Sequence, residues 1–116
     1  MSNQIINNQT VTGGGCPEPI KQSTVIVRLS NYSRKYWHRE PAKLSQEQRF
    51  IATKVLSDIF AFQQKDIAAL LKVSRITSHK DKQSADFYYQ RIDYFREKCK
   101  QLEDYIRYFS KFIPAV

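Results

Sequence analysis

The chain has 116 residues, 41% of them hydrophobic and 13% aromatic, enough for one small domain with an extended element and too few for two independent cores. A large multidomain enzyme is excluded. Nineteen Lys and Arg against eleven Asp and Glu give a formal net charge of +8, a positive field that attracts polyanions and makes nucleic acid the leading partner class.

Residues 1–22 are rich in Asn, Gln and Thr, hold all three glycines, and read as a disordered arm. The start MSNQIINNQT lacks the basic and apolar stretches of a secretory signal, and no run of about eighteen apolar residues follows, so neither export nor a membrane anchor is expected. Cys16 and Cys99 are too few to staple a small fold, which fits a reducing cytoplasm.

Residues 23–44 read as a basic, extended segment. In STVIVRLSNY, Val25, Val27 and Leu29 alternate with Ile26 and Arg28, the period-two pattern of a short strand. In NYSRKYWHREPAK, Arg34, Lys35, Arg39 and Lys43 interleave with Tyr32, Tyr36 and Trp37. Such a mixture can neutralise phosphates and stack on bases, with Arg34 and Lys35 the better placed for phosphate. Alternatively, Tyr36 and Trp37 cover the first helix while the cations form a solvated face.

From residue 45 the apolar period becomes helical. Ser45 is placed as an N-cap with Gln48 for a capping box, and Ile51, Val55 and Ile59 build one face of a first helix. A shorter second helix follows in KDIAALLKV, and a third begins after Ser74. Beyond it, Tyr88, Ile92, Phe95, Cys99, Leu102, Ile106, Phe109 and Ile113 repeat in steps of four and three. That heptad seam predicts one helix over 84–113, roughly 40 Å long and stopped by Pro114.

The charge is unevenly spread: residues 1–22, 23–83 and 84–113 with the last three residues carry net 0, +7 and +1. Binding and association therefore read as separate modules. The fold expected is mostly α: a three-helix domain over 45–83, a long dimerisation helix over 84–113, and one short extended N-terminal segment.

The segment QKDIAALLKVSRITSHKDKQ, Gln64 to Gln83, resembles the helix-turn-helix of bacterial and phage transcription regulators, whose common core is I-A-x-x-L-x-V-S-x-x-T. The resemblance implies that Ile67 and Leu71 face the core, Ala68 lets two helices cross closely, Val73 plugs the turn and Ser74 caps a recognition helix. It further implies DNA contacts from Ser74, Arg75, Ser78, His79, Lys80, Lys82 and Gln83, with Arg75 suited to a bidentate contact with guanine. Three positions depart from the family pattern: Lys72 replaces the turn glycine, Ser78 a Val or Ile, and Asp81 an inward apolar residue. Either the third helix packs through Ile76 and Thr77 in a rotated pose, or DNA orders it.

These readings converge on a small, non-enzymatic regulator, a repressor of transcription in its simplest form. It would bind double-stranded DNA as a homodimer on a palindromic site, through a seam of Ile92, Phe95, Cys99, Leu102, Ile106 and Phe109; alternatively the helix folds back on its own domain, since Phe87, Tyr89, Tyr94, Tyr105 and Tyr108 broaden its apolar surface. The helix-turn-helix with a heptad helix also resembles the short first protein of some transposable elements and small ring-forming phage packaging proteins. The competing reading is a protein–protein adaptor or inhibitor acting through the C-terminal helix. His38 and His79 have no partner motif for catalysis, and with Cys16 and Cys99 they show no zinc-ligand spacing, so no metal and no cofactor is expected.

Overall fold

The computed structural model describes residues 19–109, and these are mostly helical, with no strand among them. Helix α1 spans Gln22–Tyr32 and runs into a π-helical turn, Ser33–Trp37. A 3-10 turn at Pro41–Lys43 leads to α2, Gln46–Lys54, which also ends in a π-helical turn, Val55–Ile59. Helices α3 (Gln64–Leu71), α4 (Arg75–Arg91) and α5 (Asp93–Arg107) complete the order.

The segment expected to be extended is α1. Its alternation of Val25, Val27 and Leu29 is equally compatible with a helix that buries every third or fourth residue. Val25, Leu29 and Tyr32 are buried, whereas Val27 is 58% exposed. The partner that an isolated strand would have lacked is supplied by α5, on which α1 packs. Arg28 Nη1 donates to the Ile106 carbonyl at 2.6 Å, closing the open end of α5.

The single helix expected over 84–113 is also corrected. It is broken at Ile92, whose backbone is extended at φ −122° and ψ 110°. Residues 110–113, and with them Ile113, lie outside the described residues, as do the first eighteen residues of the expected arm.

One hydrophobic core joins all five helices. The capping box predicted at Ser45 starts α2: the Ser45 hydroxyl accepts from the Gln48 N–H, and the Gln48 side chain accepts from the Ser45 N–H. From there α2 buries Phe50, Ile51 and Ala52 between α4 on one side and α5 on the other. Phe95, Cys99, Leu102, Tyr105 and Ile106 form the buried stripe of α5. Each large apolar side chain so buried contributes about 1.5–3 kcal/mol, which is how packing overrides the seam's local preference for an uninterrupted helix.

With no glycine between residues 19 and 109, the chain reverses at ordinary residues in the left-handed region: His38 (φ 57°), Ala61 (φ 59°) and Lys72 (φ 58°). They follow α1, α2 and α3 in turn.

Candidate nucleic-acid interface

Helix α3 buries Ile67, Ala68 and Leu71 and ends at the left-handed Lys72. The Val73 N–H then returns to the Ala68 carbonyl at 3.0 Å. Ser74 caps α4, its hydroxyl accepting from the Thr77 N–H at 3.0 Å. Two residues, Val73 and Ser74, thus separate Lys72 from the start of α4.

The faces of α4 are set by its own periodicity. Ser78, Asp81 and Ala85 are buried, while Arg75, Ile76, His79, Lys80 and Gln83 are exposed on the opposite side. Ile76, at 70%, is among the most exposed large apolar side chains of the described residues. Arg75 and Lys80 have no ion-pair or side-chain hydrogen-bond partner among the described residues, and the first turn of α4 carries no acidic side chain. His79 and Gln83 meet at 3.3 Å. Positive charge with an apolar centre therefore gathers at the N-terminal half of α4.

Three residues of the expected contact set are engaged within the fold. Ser78 is 1% exposed and faces the interior, where its hydroxyl has no partner among the described residues and its carbonyl accepts from Gln64 Nε2 at 3.1 Å. Ser74 spends its hydroxyl on the cap. Lys82 is held between Asp86 at 2.6 Å and Asp58 at 3.1 Å. Lys54 meets the same two carboxylates at 2.8 and 2.5 Å, so four alternating charges tie α2 and its π-helical turn to α4. Burial alone would raise the Asp58 and Asp86 carboxyls; hydrogen bonds from the two lysines outweigh it and hold both below their ordinary value.

Ile76, named as an inward-packing residue of a rotated third helix, points to solvent instead. Asp81 takes the inward position, and Arg49 of α2 satisfies it with two hydrogen bonds. The sequence signal for this pair was the anomaly itself, an acid at an apolar position, but nothing local named Arg49 as its partner.

A second basic region lies at the end of α1. Arg34, Trp37, His38, Arg39, Glu40 and Lys43 line an open basin. Arg34 is bound there, its Nε lying 3.1 and 2.9 Å from the Glu40 oxygens; this contact raises the guanidinium and lowers the carboxyl from their ordinary values. Lys35 sits over the Tyr36 ring at 5.5 Å. Tyr36 and Trp37 are half-buried against Tyr32 at the end of α1, at 4.8 and 5.2 Å between ring centroids.

The seam residues do not form a free surface. Phe95, Cys99, Leu102 and Ile106 are buried in the chain's own core, and burial pushes the Cys99 thiol up to about 12. Phe109 is 42% exposed beneath the Arg28 guanidinium, and Ile92 is exposed at the break. No family model, curated protein or solved structure matches the chain. Among the described residues, no helix is long and apolar enough to cross a membrane.

Proposed function

We propose that the protein binds double-stranded DNA through the exposed face of α4. The observation that carries this reading is the grouping of Arg75, Ile76, His79, Lys80 and Gln83 on one side of a capped helix, with Arg75 and Lys80 unpaired among the described residues. Unpaired cations have no stabilising work inside the fold, and a helix of this kind fits a major groove. Arg75 reads guanine by its two-pronged geometry, Lys80 and His79 reach phosphates or base edges, and Ile76 meets a thymine methyl. Lys72 and Lys65 add salt-dependent affinity from α3 and the turn, and the basin cations Arg39 and Lys43 from the end of α1.

The output is control of transcription, in its simplest form repression by occupancy, without enzymatic chemistry. Two copies on a palindromic site would place their reading helices about 34 Å apart.

Fluorescence anisotropy on random duplex DNA over a salt series tests this. Wild-type affinity should fall steeply with salt, and the Arg75→Ala, Lys80→Ala double variant should show a salt slope shallower by about one to two. Absence of binding at low salt sinks the proposal. A second reading, an adaptor or inhibitor, draws on the exposed Phe87, Ile92 and Tyr94. Such an adaptor keeps its partner affinity when Arg75 and Lys80 are replaced.

A further inference from the structure

The break between α4 and α5 consists of one residue, Ile92. Nothing in the local sequence asks for it. Residues 84–113 contain neither glycine nor proline, and Tyr88, Ile92, Phe95 and Cys99 keep their four-three-four spacing straight through the bend. Propensity and pattern both specify a continuous helix there; the bend exists because α5 folds back onto α1 and α2.

The hydrogen bonds at the bend are those of a helix held open by a side chain. The Ile92 N–H still reaches the Tyr88 carbonyl at 2.8 Å, and the Arg96 N–H the Ile92 carbonyl at 3.2 Å. In an uninterrupted helix the Tyr89 carbonyl would accept from the Asp93 N–H. Here it accepts from Arg96 Nη1 at 2.5 Å, while the same guanidinium pairs with the Asp93 carboxylate. Arg96 is thus a clasp across the bend.

Around this point the chain leaves apolar surface uncovered. Phe87, Ile92 and Tyr94 are 52, 41 and 55% exposed, and Ile92 and Tyr94 line a groove of about 220 Å³ together with Gln46, Glu47, Phe50, Tyr88 and Phe95.

We propose that two copies of this chain dimerise by exchanging α5. Straightening at Ile92 joins α4 and α5 into one helix, and the α5 of each copy docks on α1 and α2 of the other. Phe95, Cys99, Leu102 and Ile106 then re-form the contacts they make in the single chain, because the receiving core is identical. The occupant of the exposed patch is the same patch of the second copy, brought together where the two long helices cross. From Arg75 to Arg107 such a helix would run about 50 Å. The proposal stands whether or not the protein binds DNA.

Light scattering coupled to size exclusion, on the full chain over a concentration series, separates 13.7 kDa monomer from a dimer of twice that mass. Arg96→Ala releases the clasp and should raise the dimer-to-monomer equilibrium at least tenfold. Asp93→Ala should act in the same direction and replaces it should Arg96→Ala fail to fold. Asp93→Pro does the reverse. Proline suits the first turn of α5, requires the extended backbone that Ile92 already has, and removes the N–H that a continuous helix needs. That variant should be monomeric, with native helix content, at every concentration. Undiminished dimer in Asp93→Pro would mean that surfaces dock without exchange and would overturn the proposal. So would monomer alone in wild type and both clasp variants up to millimolar concentration. Mixed labelled and unlabelled dimers should exchange subunits over hours, since α5 must leave a core; exchange within seconds also contradicts the swap.

Discussion

Arg49 grips Asp81 across 32 residues of sequence, with Nε 2.9 Å from Oδ2 and Nη2 3.2 Å from Oδ1, fastening α2 to the middle of α4. The two partners are not equally buried: the Asp81 side chain is 5% exposed and that of Arg49 22%. Removing Arg49 strands a carboxylate in the interior, whereas removing Asp81 leaves a guanidinium that can turn to water. Arg49→Met should therefore cost about 3–5 kcal/mol and Asp81→Leu distinctly less. The double variant Arg49→Met, Asp81→Leu should recover most of the loss, because an apolar pair replaces a desolvated ionic one. Urea unfolding of the three variants checks the order; a double variant worse than Arg49→Met contradicts it.

The alternating quartet of Lys54, Asp58, Lys82 and Asp86 gives stability a defined acid limit. Both carboxyls lie below their ordinary value of 3.8 in the fold. Stability from a lowered carboxyl is fully present above the unfolded value and is lost as pH falls through the lower folded one. Melting temperature should accordingly hold from pH 7 to about pH 5 and decline below pH 4. The pair Asp58→Asn and Asp86→Asn should be less stable at pH 7 and lose part of that acid dependence. All four groups keep contact with water, so 0.5 M salt should weaken the network only partly.

Amphipathic spacing and cap chemistry made α2 and α3 legible in the sequence, together with the turn at Ser74, since these depend on neighbours within four residues. Val25, Val27 and Leu29 misled because β-branched residues and a short alternation serve a strand and a packed helix alike, and only contact with α5 decides between them. The apolar spacing from Phe95 to Ile106 serves a dimer seam and a fold-back onto the same chain alike, and the choice between one's own core and a partner's is absent from periodicity. Within the candidate site, Arg75, His79, Lys80 and Gln83 are exposed on one side of α4. Ser78 is buried and Lys82 is paired, which local spacing does not reveal because burial and pairing depend on elements far away in sequence.

Lys72 holds the left-handed position after α3 with a Cβ present. Glycine relieves the clash of Cβ with the following carbonyl but loses more conformational entropy on folding. The first effect is the larger, so Lys72→Gly should stabilise the protein by roughly 0.5–1 kcal/mol. Lys72→Ala, which keeps the Cβ, should leave stability nearly unchanged and so separates backbone relief from loss of charge. Thermal melts of the two variants read the difference.

Cys99 reports on whether α5 stays docked. Burial raises its thiol from 9.0 to about 12, which lowers the thiolate fraction about a thousandfold at neutral pH. In a Cys16→Ser background, alkylation of the folded protein should be much slower than that of a denatured control. Arg96→Ala should speed it only at dilutions that keep the variant monomeric, since an exchanged α5 buries Cys99 again in the partner's core. Labelling as fast in the native protein as in urea would contradict a docked α5.

Ile76 offers the sharpest separation of function from fold. At 70% exposure it contributes little packing, so Ile76→Ala should change stability by less than about 0.5 kcal/mol. A methyl contact is worth about 0.8 kcal/mol, close to fourfold in affinity. Once a bound duplex has been selected, replacing the contacted thymine by uracil should weaken wild type about fourfold. The same base change should leave Ile76→Ala unaffected, since the side chain that met the methyl is gone. Equal sensitivity of both proteins would place the methyl contact elsewhere on α4, and an unstable Ile76→Ala would mean that the side chain packs rather than reads.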